Sequence, residues 1–274
     1  MSLLEGFRNL LAEPRLQGVD LDGEDRLAVH RDVLASKPMI RDVFLEIYAL
    51  CRSLDSEHLR GEGDRVELGS GSSLFKTFHP DVIATDVLPA AWIDRTLDAH
   101  AMSLADGSVR AFYGIHCFHH FHDPAAFFGE LERVLNPGGG CVLVEPYYGP
   151  LARAFYRRAF ATEHFDTSQS TWQLPPSGAM VGANQALSWI VFERDREAFE
   201  RDFPELEIVA HHRLPNALRY VASGGLNFRQ LLPTFTAPLL TLLERIAAPA
   251  GHLFALHHVV VIRRRGAVES TADG

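Results

Sequence analysis

The sequence predicts an α/β fold, a doubly wound and mostly parallel sheet with helical cap insertions. Three observations carry this expectation. Short apolar segments alternate with amphipathic stretches of helical period, the rhythm of parallel strands joined by crossover helices. The first of those segments, residues 65–69 (RVELG), runs straight into the turn Gly69-Ser70-Gly71. The second, residues 81–86 (DVIATD), ends on a carboxylate, Asp86.

The 274 residues suffice for a single domain over 1–274, and 47% apolar with 22% charged residues argues against wholesale disorder. A formal net charge of -9 offers no general attraction for phosphate backbones, so no nucleic-acid partner is expected. Cys51, Cys117 and Cys141 form no CxxC pair, which fits a reducing, cytoplasmic setting. Glu5 and Arg8 interrupt the first apolar run, so the start does not read as a secretory signal. Leu3, Leu4, Phe7, Leu10 and Leu11 share one helical face; docking on the domain is the preferred reading, and peripheral membrane contact the other. The apolar stretch 236–262 is broken by Glu244, Arg245, Pro249, His252 and the pair His257-His258, so no membrane span is expected.

In chain order, N-terminal helices are expected over 1–60, with a helical pattern at 31–54 restarting at Pro38. A polar connector, 55–64, precedes the core at 65–147, whose further strands are 110–116 and 141–145. Between these two, residues 124–135 form an amphipathic helix that stops before Asn-Pro-Gly-Gly-Gly. Residues 148–205 and 214–252 read as substrate-side insertions, with late strands at 207–211 and 254–263 and a frayed tail at 264–274. Within the second insertion, 225–243 reads as core packing, with cover for a hydrophobic pocket or a lipid-linked substrate as the alternative.

Two glycines one residue apart let backbone approach a ligand closely. Asp86, at the end of the next strand, can accept from both hydroxyls of a ribose. Leu74 stands where a dinucleotide site would carry a third glycine, and no phosphate-binding GxxxxGK[ST] loop is present.

These segments together resemble the class I S-adenosylmethionine-dependent methyltransferases, especially the broad type 11 group. The likeness spans residues 65–147 and rests on VELGSGSS, ATDV, the step Asp98-Ala99 before Leu104, HCFHHFHDP and LNPGGGCVLVEP. The resemblance implies a seven-stranded Rossmann-like sheet and S-adenosylmethionine as methyl donor, leaving as S-adenosylhomocysteine. It implies that Gly69, Ser70 and Gly71 lie beside the methionine and ribose, with Glu67 near the amino end. Asp86 would hold the ribose, Val87 would flank the adenine, Asp98 would accept from the adenine amino group, and Ala99 would supply backbone contact. Ile115 and His116 would lie below the reactive methyl. The chain departs from the family pattern at His116, where a small polar or acidic residue is usual, and in lacking a further glycine after Gly71. Two alternatives stay open here: a fold that binds the cofactor without methyl transfer or with repurposed chemistry, and a less favoured nicotinamide oxidoreductase.

Methyl transfer needs an in-line approach, so positioning can carry most of the catalysis. A hydroxyl acceptor also needs a base, for which His116 and then His119 are the candidates, whereas His120 reads as structural. No metal is expected, because HExxH is absent and no cysteine is spaced for zinc. The pairs His211-His212 and His257-His258 fall in strands, where neighbouring side chains point to opposite faces. For the acceptor, Glu145, Tyr147 and Tyr148 follow the last core strand, and Arg153 and Arg157 could hold an anionic or glycosylated group. Glu163, Trp172 and the stretch 182–185 add polar groups to the same insertion. EPYYGPLARAFYRR and LNFRQLLPTF resemble methyltransferases of bacterial polysaccharide and secondary-metabolite pathways. That likeness favours O-methylation of a small or carrier-linked acceptor.

Overall fold

The computed structural model describes residues 10–20, 23–159, 163–175 and 182–266. Seven strands form one mixed sheet: β1 (Asp64–Leu68), β2 (Val82–Asp86), β3 (Arg95–Thr96), β4 (Val109–Ile115), β5 (Leu135–Pro146), β6 (Leu206–Arg213) and β7 (His257–Arg264). Their spatial order is β3-β2-β1-β4-β5-β7-β6. The first five run parallel, while β7 is antiparallel to both β5 and β6. The sequence order reverses beside β1, and α/β sheets bind ligands at the carboxyl ends of the strands flanking such a point.

Alternation along the central strands feeds two apolar layers. Phe112, Cys141, Leu143, Val260 and Ile262 enter the layer that also holds Phe118, Phe128 and Phe192. Ala111, Tyr113, Val142, Val144, Val259 and Val261 enter the opposite layer. That second layer is covered by α1 (Glu24–Ser36) and α2 (Pro38–His58). Ile40, Val43, Phe44, Ile47, Tyr48, Cys51 and Leu54 recur along α2 at three- and four-residue steps and are all buried. Pro38 opens α2, where its missing N–H costs no helical bond, so the expected restart is where the chain breaks. Asp55 then ties the end of α2 to the sheet by accepting from Arg65 Nε at 2.8 Å, Arg110 Nε at 2.9 Å and the Tyr113 hydroxyl at 2.8 Å.

Several expectations are corrected. β3 has no counterpart in the sequence reading, because both of its residues are exposed and a two-residue bridge shows no period. The strand expected at 141–145 begins at Leu135, so Asn-Pro-Gly-Gly-Gly lies within β5, where the pairing with β4 carries an irregularity of register. The last strand begins at His257 because Gly251–Phe254 is a helical turn. The expected frayed tail is held at its start, since Arg264 belongs to β7 and Arg265 N donates to Glu205 O; from residue 267 it lies outside the described residues. Of the expected N-terminal stripe, Leu3, Leu4 and Phe7 lie outside the described residues and Leu10 is exposed.

The first insertion folds as α3 (Pro150–Ala154), short turns and α4 (Arg196–Asp202), and sends Leu187, Val191 and Phe192 into the core. The second holds α5 (Ala217–Ser223) and α6 (Ala237–Ala247). Core packing fails for much of it: Phe235, Leu239, Leu242, Leu243 and Ile246 are exposed, and Glu244 is the buried member of α6. Glu244 is buried because it meets Arg219 Nε at 2.6 Å. No helix among the described residues is long and apolar enough to cross a membrane.

Candidate active site

β1 delivers the chain into a turn whose backbone requires glycine. Gly69 has a φ of 58°, and a Cβ there would stand 2.8 Å from the Cβ of Cys117, so this turn packs against the one that follows β4. Next to it Gly71 N donates to Asp86 Oδ2 at 2.8 Å, and Leu88 N donates to Asp86 Oδ1 at 3.0 Å. Each oxygen retains acceptor capacity for a hydroxyl, the geometry a vicinal diol needs. Burial pushes the Asp86 carboxyl up, and the two backbone N–H groups hold it back. Ser70 Oγ donates to Glu67 Oε2 at 2.8 Å and accepts from Thr85 N at 3.1 Å, locking β1 and β2 at the same point. Glu67 is buried, and burial with the nearby Asp86 raises its pKa to about 7, so the site favours a cation next to that carboxylate.

Over these carboxyl ends lies a cavity of about 350 Å³. Every residue expected at the cofactor lines it: Glu67, Gly69, Ser70, Gly71, Asp86 and Val87, and also Asp98, Ala99 and Ile115. Val87 is a large apolar side chain left half exposed there, and Asp98 Oδ1 accepts from His100 N at 2.9 Å and engages His100 Nδ1 at 2.7 Å. The donor set fits an aminoacyl nucleoside: a buried acid for an ammonium, an acid for a diol, and an apolar flank with a carboxylate for a purine. Sequence reasoning missed Trp92, whose Nε1 donates to Gly71 O at 2.8 Å under the Arg31 guanidinium.

Histidines form the far wall. His116 is the one non-glycine among the described residues with positive φ, at 55°, a conformation costing roughly 1–2 kcal/mol. Its N–H donates to Val144 O at 2.8 Å, and its ring stands edge-on to His257 at 4.6 Å. His116 Nε2 is buried with no partner among the described residues. Burial lowers its pKa to about 4 against the pull of Glu145 and Glu163, which leaves a neutral imidazole at physiological pH.

His119 differs. Its Nδ1 meets Glu145 Oε2 at 2.5 Å and its Nε2 meets Glu163 Oε2 at 3.3 Å. Burial alone would lower its pKa, but the two carboxylates overcome it and raise the value to about 10. With both ring nitrogens engaged by carboxylates, His119 presents no free nitrogen to a substrate proton in this arrangement and anchors Glu145 and Glu163. His120 lines the cavity, with a pKa lowered to about 3 by burial and by His119, and its Nε2 stands 4.0 Å from Glu163 Oε1.

The acceptor-side expectations are largely redistributed. Glu145 is completely buried and serves the turn after β4, accepting from Cys117 N at 3.0 Å, Phe118 N at 2.8 Å and His119 N at 3.3 Å. Tyr147 is buried too, its hydroxyl accepting from Arg213 Nε at 2.8 Å. Tyr148 packs on Trp189 and Phe165, with Arg153 over its ring. Arg153 and Arg157 border a separate depression with Pro150, Ala154 and Arg158 and do not line the main cavity, so the structure does not bring them to the expected acceptor site. Tyr156 and Tyr220 line the main cavity with Phe44 and Phe121, together with Glu163 and Gln185 of the first insertion. His257 and His258 point to opposite faces, as strand neighbours must. His257 turns toward His116, and His258 toward Ser188 and His211 at 2.7 and 2.8 Å.

A family described as methyltransferase domain matches residues 69–143. No curated protein sequence matches the chain. Among solved structures, the chain is similar to a protein of Galdieria sulphuraria provisionally named a sarcosine dimethylglycine methyltransferase, at 13% identity and a TM-score of 0.49, covering 88% of this chain and 98% of that one. Phosphoethanolamine N-methyltransferase 2 of Haemonchus contortus matches at 11% identity and a TM-score of 0.48, covering 95% and 60%. Geranyl diphosphate C-methyltransferase of Streptomyces coelicolor A3(2) matches at 16% and 0.43, covering 79% and 80%. Residues 69–143 of this chain thus carry a match to a methyltransferase domain, on the segment that holds the glycine turn and Asp86.

Proposed function

We propose that the chain methylates a hydroxyl group of a small or carrier-linked acceptor, with S-adenosylmethionine seated along Glu67, Gly69–Gly71, Asp86, Val87 and Asp98–Ala99. When bound, the sulfonium supplies an electrophilic methyl group and a neutral leaving group. The protein's share is to hold and to exclude. Asp86 accepts from the ribose diol, Glu67 faces the ammonium, Val87 covers one side of the adenine, and Asp98 accepts from its amino group. The acceptor enters between the β4 turn and the two insertions, against Tyr156 and Tyr220.

One observation carries the hydroxyl reading: His116 lines the cavity at the end of β4 as a neutral imidazole whose Nε2 has no partner among the described residues. A hydroxyl can donate to that nitrogen, and as its oxygen bonds to the methyl carbon the proton passes to Nε2 and then to water. The ring is held by its neighbours, edge-on to His257 at 4.6 Å and beside Tyr220 and Phe44. A methyl-transfer assay over a panel of hydroxyl, amine and carbon acceptors tests the reading. Methylation of hydroxyl acceptors should fall roughly 10²–10⁴-fold in kcat for His116→Asn, with cofactor affinity within about 3-fold. An undiminished kcat in that variant removes His116 from the chemistry, and turnover confined to amines removes the hydroxyl.

A further inference from the structure

His119, His120 and Glu163 each present one donor atom into the cavity wall, and the three atoms lie within 4.8 Å of one another. From this geometry we infer that Nε2 of His119, Nε2 of His120 and a carboxylate oxygen of Glu163 form a binding site for a divalent first-row transition cation of the zinc type. The inference rests on the functional reading only for the metal's use, since the site would hold its ion whether or not methyl transfer occurs.

Separation is the first argument. Two donors bound at about 2.1 Å to a tetrahedral ion stand about 3.4 Å apart. His119 Nε2 is 3.3 Å from Glu163 Oε2, and His120 Nε2 is 4.0 Å from Glu163 Oε1, so a small rotamer adjustment suffices. Two imidazoles with one carboxylate suit zinc, cobalt or iron(II), whereas magnesium prefers an all-oxygen shell.

Support around the donors is the second argument. A ligating histidine ordinarily donates its other ring nitrogen to a carboxylate, which fixes tautomer and orientation. Here His119 Nδ1 meets the fully buried Glu145, itself anchored by three backbone N–H groups, so Nε2 has no freedom to swing away. His119 O accepts from Asn184 N at 3.0 Å, and Gln185 Nε2 donates to Glu163 Oε2 at 3.0 Å, so the first insertion brings the carboxylate and its support together.

The third argument is what is left unpaired. Gln185 Oε1 and His120 Nδ1 are buried without partners among the described residues. Gln185 is 5% exposed, and its amide already touches Glu163, so a water on the ion could donate to Oε1. Charge agrees: the carboxylates of Glu145 and Glu163 converge on this cluster from two sides, and a dication balances both. An acceptor oxygen on the open coordination position would be held within the same cavity as His116.

Full-length protein dialysed against chelator, then titrated with Zn²⁺ by calorimetry and with Co²⁺ by visible absorption, tests the site. One equivalent should bind, Co²⁺ should show an intense tetrahedral or five-coordinate spectrum, and Mg²⁺ should not compete. His120→Asn and Glu163→Gln should each weaken Zn²⁺ by at least 10-fold, with S-adenosylhomocysteine affinity unchanged. His211→Asn, which disrupts the second donor group of Glu193, His211 and His258, should leave the Zn²⁺ titration as it was. Absence of stoichiometric binding, or loss in His211→Asn but in neither of the other variants, overturns the inference. Zn²⁺ binding without S-adenosylhomocysteine binding would sink the cofactor assignment and leave the metal site standing; the reverse result would do the opposite.

Discussion

Replacing Glu145 by Ala should damage the fold before it damages chemistry. One carboxylate satisfies the N–H groups of Cys117, Phe118 and His119 and also the imidazole of His119, all in a buried environment. Each buried N–H left unpaired costs about 1–3 kcal/mol, and the stranded imidazolium must also give up its proton. A net loss of roughly 3–6 kcal/mol is a large part of the 5–15 kcal/mol by which a domain is ordinarily stable. At about 2–4 °C per kcal/mol for a chain of this size, Tm should fall on the order of 10–20 °C. Glu145→Gln keeps one acceptor oxygen for Cys117 and Phe118 but turns an amino group toward His119, so its loss should be smaller. The pH dependence separates the ion pair from the backbone bonds. The folded pKa of His119 is raised to about 10, so its stabilisation is complete below its unfolded value near 6.5 and is lost as pH rises toward 10. The Tm of the metal-free wild type should decline across that window, and Glu145→Gln should flatten the decline. Thermal unfolding followed by circular dichroism from pH 6 to about 10 reads both effects. A Tm within about 3 °C of wild type for Glu145→Ala would refute the reasoning.

Asp86→Ala removes two charge-assisted bonds to a diol, each worth about 1.5–3 kcal/mol, and should weaken S-adenosylhomocysteine at least about 100-fold by calorimetry. An unchanged affinity removes the ribose assignment. Glu67 titrates at about 7 in the free protein, and only its ionised form attracts an ammonium. Affinity for S-adenosylhomocysteine should therefore fall as pH drops below about 7, and Glu67→Gln should abolish that dependence; a parallel slope in the variant assigns the proton elsewhere.

The cofactor half of the cavity was legible because its residues are local. Val66 to Gly71 and Ala84 to Asp86 are contiguous, and a turn that needs glycine beside a strand-ending acid leaves a mark in the sequence. The acceptor half was less so: Glu163 was named in the first insertion, but Tyr156 and Glu163 meet Tyr220 and His257, some 60 to 100 residues on, only through the fold. Glu145 misled for a physical reason. An acid at the carboxyl edge of a parallel strand normally faces ligand, but this one turns inward to N–H groups 26 to 28 residues away. The seven strands follow from alternation except for β3, which has too few residues to alternate. The stretch 225–243 shows the converse error, since apolar period in α6 predicts a covered face and the chain leaves it uncovered. Nothing in the sequence around His116 signals its positive φ.

The most direct test of the central claim is calorimetric titration of the purified chain with S-adenosylhomocysteine, with NAD in a parallel titration. The account predicts saturable micromolar binding of one equivalent of S-adenosylhomocysteine and no binding of NAD; binding of NAD alone, or of neither, would contradict it.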